Sequence, residues 1–175
     1  MAPMEDAVVK AKSKQAAAAD KLRLEPATVV MMNGAERFVA ADHFQEDISP
    51  GAVVQIAKVG DGFQAAFGGR VEINMTLAVL SVTRLSRKAT DQEILDVLGA
   101  RAEVALVYIW GLLTRQPHGE SGTLSLNHPN GFYIRDAKGA LWSVYIGWYG
   151  DGWCLHAYEA GPVTWDADAD QIFSY

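Results

Sequence analysis

The chain has 175 residues, 50% hydrophobic and 21% charged, with a formal net charge of -6 and a pI near 5.1. That size suits one domain with a sizeable core, and the composition excludes an intrinsically disordered chain. The acidic balance argues against a nucleic-acid partner, which needs clustered Lys and Arg, and the single cysteine, Cys154, excludes an internal disulfide framework or a cysteine-rich zinc site.

The N-terminus opens Met1-Ala2-Pro3-Met4-Glu5-Asp6, acidic and without a long apolar run, so it does not read as a secretory signal. Residues 4–24 are rich in Ala, Lys and Gln, which favour helix. Val8, Ala11, Gln15, Ala18 and Leu22 fall near one stripe, which is only weakly apolar, and Pro26 closes the segment. We expect residues 1–25 to form a loosely attached helix, and residues 26–175 a single domain.

Two turn signals follow. Asn33-Gly34 separates apolar runs at 28–32 and 35–40, and Asp61-Gly62 separates 53–60 from 63–67. Both dipeptides supply the left-handed backbone of a two-residue hairpin turn, so two hairpins are expected. Val71, Ile73, Met75 and Leu77 then alternate with Glu72, Asn74 and Thr76, the period of a half-buried strand.

The period changes at Thr90-Asp91-Gln92-Glu93, a capping box with Thr90 as N-cap and Glu93 three residues on. Ile94, Val97 and Leu98 make a short helix ending near Gly99, and a second helix is expected over 100–115, stopped by Pro117. The longest apolar run, 104–113, falls in it; it is too short for the roughly 20 residues that cross a bilayer and reads as a core helix. Strands are expected again at 123–126, 132–136, 141–149 and 153–159, with turns at 136–139 and 150–152. The whole reads as α+β: hairpins, a two-helix insert and a C-terminal antiparallel meander.

Eleven of the aromatic residues lie between Gly131 and Tyr175, with only two basic residues, Arg135 and Lys138, among them. A two-residue turn at Asp151-Gly152 would put Trp142, Val144, Ile146, Trp148, Trp153, Leu155 and Ala157 on one apolar face, which must be core. The other face would carry Ser143, Tyr145, Gly147, Tyr149, Cys154, His156 and Tyr158, with Gly147 leaving a dent. Either this second face is an open site for a protein partner or a small planar ligand, or the 100–115 helix covers it. The candidate binding residues are Tyr145, Tyr149, His156 and Tyr158.

Other chemistry is thinner. Cys154 and His156 share a strand face and could act as nucleophile and base, though no orienting Asn or Asp accompanies them and an inert thiol explains them as well. Asp166, Asp168 and Asp170 open like a calcium loop but lack its glycine and its later glutamate, so they read as an acidic turn and no metal is expected. His43, His118 and His128 have no ligand spacing. Arg84, Arg87 and Lys88, with Arg101, form a short basic patch. There is no phosphate-binding loop, dinucleotide fingerprint or nucleophile elbow, so no cofactor is expected.

The run from Gly131 to Trp153, with Trp165 and Ile172-Phe173-Ser174 beyond it, resembles the C-terminal pattern of small uncharacterised bacterial proteins ending "F-x-V-R-D-x-x-G-x-L … W … G-W". The resemblance implies no activity and no functional residue; Asp168 and Asp170 lie outside the pattern. The expectation that emerges is a non-enzymatic binding or interaction module in the cytoplasm, without membrane or nucleic-acid partners. A small Cys154/His156-dependent hydrolase or transferase is the alternative, and a structural subunit, homo-oligomeric or docked through residues 4–24, is a third.

Overall fold

A computed structural model of the chain describes residues 21–167 and 170–175. The N-terminal helix expected over 4–24 therefore falls almost wholly outside the described residues. From Leu22 on the chain is already integrated: Leu22 is buried, and the first strand, β1, runs Leu24–Met32 through Pro26. Proline is tolerated there because β1 is an edge strand and a register shift falls between Pro26 and Thr28.

The protein is α+β. After β1 come β2 (Arg37–Val39), α1 (Ala40–His43), β3 (Ile56–Val59), α2 (Asp61–Phe67), β4 (Val71–Ile73), β5 (Ala78–Leu85) and β6 (Ala89–Thr90). Helix α3 (Asp91–Leu98), a 3-10 turn (Gly99–Ala102) and α4 (Leu106–Leu113) follow. Then come β7 (Asn130–Arg135), β8 (Leu141–Tyr149), β9 (Gly152–Glu159), β10 (Thr164–Trp165) and β11 (Gln171–Ser174). Seven strands form one mostly antiparallel sheet in the order β1-β5-β11-β7-β8-β9-β3, in which β11–β7 and β9–β3 are the parallel pairs. Two small sheets, β2–β4 and β6–β10, flank it.

The larger core lies on one face of the sheet. Phe132, Val144, Ile146, Trp153 and Leu155 of the meander meet Leu106, Ile109 and Leu112 of α4, Phe63 and Phe67 of α2, and Phe44. The smaller core lies on the other face, where Tyr133 and Ile172 meet Ile94 and Leu98 of α3, Leu22, Leu85 and Trp165. Among the described residues no helix is long and apolar enough to cross a membrane.

The two expected hairpins do not form. Strand β1 pairs with β5, far along the chain, and β2 pairs with β4. Asp61-Gly62 begins α2, whose Phe63 and Phe67, one helical turn apart, are both buried and meet edge-to-face with centroids 5.2 Å apart. Neither glycine has a left-handed backbone. Each permits a close approach instead: a Cβ on Gly34 would lie 1.8 Å from the Met75 carbonyl oxygen, and one on Gly62 would lie 2.2 Å from that of Ala157.

The alternation over 71–77 is also inverted. Strand β4 stops at Ile73, Asn74 turns the chain with φ 53°, and it is Glu72 that is buried while Val71 and Ile73 point outward. Glu72 accepts from the amides of Leu106 (3.0 Å) and Val107 (2.9 Å), so it caps the first turn of α4 from another element. The capping box stands as read: Glu93 N donates to Thr90 Oγ1 (3.4 Å) and Thr90 N to Glu93 Oε2 (2.9 Å). Arg87 adds a 2.7 Å bond to Glu93 Oε1, and together these hold the Glu93 carboxyl at about 2.

The single helix expected over 100–115 is a 3-10 turn and α4, parted at 103–105 where Glu103 bridges to Tyr133. No strand forms at 123–126. Gln116 fixes that stretch by bonding both ends of Leu124, and Asn130 bonds Ser125 and the Ile146 carbonyl. The side-chain amides take the backbone groups that a sheet partner would otherwise satisfy.

Candidate functional site

Strands β8 and β9 are joined at Gly150-Asp151, with Tyr149 opposite Gly152 and Trp148 opposite Trp153. The two-residue turn expected at Asp151-Gly152 is thus one residue earlier. Gly150, with φ 69°, takes the left-handed first position that such turns require. The register differs from the expected one by two residues, so every side chain keeps its face. Val144, Ile146, Trp153, Leu155 and Ala157 lie in the large core, with Trp142 and Trp148 half-buried at its rim. Helix α4 packs on this apolar face, not on the tyrosine face.

Only part of the tyrosine face is covered. Ser143 is buried under the smaller core, and Tyr145 stacks on Trp165 with centroids 4.2 Å apart and planes 11° apart. Tyr158 meets Tyr145 edge-on at 5.9 Å. Beyond this pair the face opens into a recess of about 490 Å³. Tyr145, Tyr149, His156 and Tyr158 all line it, together with Gly147 and Cys154 of the hairpin and Pro129, Val163 and Thr164 from outside it. Cross-strand pairing sets these positions: Tyr145 faces His156, Gly147 faces Cys154 and Ser143 faces Tyr158. Gly147 does not leave the dent expected of it. The Tyr149 ring lies over it, so close that a Cβ would sit 2.7 Å from the ring.

One buried carboxylate holds the closed side of the recess. Asp91, the first residue of α3, accepts from the Tyr133 hydroxyl (2.9 Å), the Ser143 hydroxyl (3.0 Å), Trp165 Nε1 (2.8 Å) and the Gly161 amide (3.0 Å). The Asp91 amide donates to Val163 at 3.0 Å, which pins the loop carrying Val163 and Thr164. Asp91 thus fixes the ring on which Tyr145 stacks and the wall facing it. Burial and the Asp91 charge push the Tyr133 phenol far up, and burial with Asp91 and Asp170 does the same for Tyr145, so both rings stay neutral hydrogen-bonding groups.

The capping box puts Asp91 at the start of α3, but nothing local marks it as this hub. Nor does the sequence mark Trp165 as the stacking platform or Thr164 as part of the lining. A buried hydrogen-bonding role for an acidic residue at a helix start has no local signature, since its partners come from β7, β8 and β10.

Cys154 and His156 both line the recess, and among the described residues no hydrogen bond joins them. Burial pushes the Cys154 thiol up, and Glu46 and Asp151 push it further. Lys58 stands beside Cys154 across the β3–β9 pair, but it is engaged with Glu46 at 3.2 Å. A protonated thiol is a poor nucleophile. In the acidic stretch, Asp168 lies outside the described residues. Asp170 Oδ2 accepts from the Asp166 amide at 2.7 Å, and Asp166 pairs with Lys88 at 3.2 Å. Among the described residues no three acidic, histidine or cysteine side chains gather closely enough to hold a metal ion. The basic patch is partly internally paired, Arg87 with Glu93 and Lys88 with Asp166.

Compared with models of protein families, with curated proteins and with solved structures, the chain matches none.

Proposed function

We propose that this chain is a non-enzymatic binding module that takes a flat ring, carried by a small molecule or by a side chain of a protein partner, in the recess beside β8 and β9. One observation carries the reading. Tyr145, Tyr149, His156 and Tyr158 line a single recess, yet Tyr149 and Tyr158 remain 60% and 54% exposed. Large aromatic side chains left in water beside a rigid stacked pair are costly to hydrate and ready to bury. The pinned wall keeps the recess preformed, which lowers the entropy lost on binding.

The chemistry of the lining favours a neutral or weakly polar ring. The nearby lysines, Lys58 and Lys88, are each paired with a carboxylate, and the net charge is -6, so nucleic acid is a poor fit. A reducing cytoplasm suits the free thiol in the recess lining.

The test uses indole and adenine as planar probes, followed by NMR on the intact chain. Shifts confined to Tyr145, Tyr149, His156 and Tyr158, with affinity lost in Tyr158→Ala at unchanged fold, are expected. Binding of neither probe, together with no effect of Tyr149→Ala or Tyr158→Ala on capture of a purified partner, would end the reading. Rapid alkylation of Cys154 by iodoacetamide at neutral pH, faster than that of free cysteine, would favour the hydrolase alternative instead.

A further inference from the structure

A second recess lies across the molecule, between β4 and the outer end of β7. We infer that it binds the carboxylate of a small aliphatic acid, with Arg70 as the anchoring cation. The recess holds about 440 Å³, within the range of small-molecule sites. Its aliphatic lining comes from Val71, Ile73, Met75, Val104 and Ile134. Val71 and Ile73 are 44% and 63% exposed, the side chains that the inverted β4 turns outward.

Four charged residues border this recess, and three are already engaged. Glu72 gives both oxygens to the first amides of α4, where the helix end supplies compensating positive charge. Arg135 donates to Glu103 through two nitrogens, and its Nη1 donates to the Gly139 carbonyl at 2.6 Å. Among the described residues, Arg70 alone of the four has neither an ion pair nor a side-chain hydrogen bond, and its Nε is buried without an acceptor. Its backbone is fixed, since Arg70 N donates to Phe67 at 2.8 Å and its carbonyl accepts from Ala40 at 3.0 Å. The side chain therefore leaves a fixed backbone point beside the recess.

With Nε enclosed, the outer guanidinium nitrogens are what Arg70 offers the recess. A carboxylate seated there takes both of them in the two-pronged geometry that guanidinium favours. A short hydrocarbon tail then covers the aliphatic lining. The pairing of one unmatched cation with an aliphatic trough selects an amphipathic acid over a phosphate, which would leave the trough bare, and over an amine, which Arg70 repels.

Calorimetric titration of the whole chain with sodium octanoate, octanamide and octylamine tests this. Octanoate is expected to bind, with octanamide about tenfold or more weaker, the loss of one charge-assisted bond. Arg70→Gln should weaken octanoate to the level of octanamide, and Arg70→Lys should fall between. Methyl NMR of the unaltered chain should show octanoate shifting Ile73, Met75 and Ile134, a readout that stands even where Arg70→Gln fails to fold. Equal binding of octanoate and octanamide, shifts centred away from these methyls, or no binding at millimolar octanoate would each overturn the inference.

Discussion

The two faces of the β8–β9 hairpin differ in what they ask of their side chains. On one, Ile146, Trp153 and Leu155 are wholly buried, and α4 and α2 seal them. On the other, rings of the same size stand half in water around a recess. The backbone and the turn are shared, so the difference comes from what packs above each face. Apolar volume on the first face must be filled. On the second, the cover stops at Trp165, and Tyr149 and Tyr158 beyond it stay more than half exposed.

Large-to-small changes on the two faces should separate most widely. Trp153→Ala removes a buried indole that packs 5.3 Å from Trp148 and donates to the Gln116 carbonyl at 2.9 Å. We expect a loss of about 3–5 kcal/mol in chemical denaturation. A loss near that of a surface change would erase the contrast between the faces.

Asp91→Ala sharpens the comparison within the second face. It leaves the Tyr133 hydroxyl, the Ser143 hydroxyl and Trp165 Nε1 buried without their acceptor. Denaturation should show a loss of roughly 2–4 kcal/mol, since unsatisfied buried groups keep their desolvation penalty. Trp165 fluorescence should shift as its ring loosens. Retention of both stability and emission would show that the closed side of the recess does not depend on this carboxylate.

Tyr149→Ala and Tyr158→Ala should each cost under about 1 kcal/mol, as substitutions outside the core do. A loss of several kcal/mol in either would place these rings in the fold and remove the distinction.

The smallest effect is one of pH. Glu93 is held at about 2, first by Arg87 and then by the Thr90 amide, against its ordinary 4.5. A depressed carboxyl stabilises the fold above its unfolded value, and that contribution fades as pH falls from about 4.5 towards 2. Melts across that window should flatten in Glu93→Gln, and an unchanged slope would remove Glu93 from the acid response.

How much of this was legible in the sequence varies along the chain. The meander could be read because its strands alternate and neighbours in sequence are neighbours in space. The two faces were legible because parity survives a register error of two. The first half misled because its glycines serve contacts with distant backbone, Met75 and Ala157, which no local pattern encodes. Strand β4 misled for a similar reason: Glu72 is drawn inward by the amides of α4, thirty-odd residues on. Strands β5 and β11 went unseen. Polar Thr83 and Ser174 interrupt them, and they are buried only because each borders the other in the sheet.

Strand β11 also divides the sheet in time. Among the described residues, the β1–β5 pair on one side and β7, β8, β9 and β3 on the other are joined edge to edge only through Gln171–Ser174. These four residues are translated after every strand they connect. Until they emerge from the ribosome, β5 and β7 each expose an unpaired edge, the surface that invites association with other chains. Closure is then a long-range event with a large loop-entropy cost, so folding should be governed by this late insertion and not by the fast local meander.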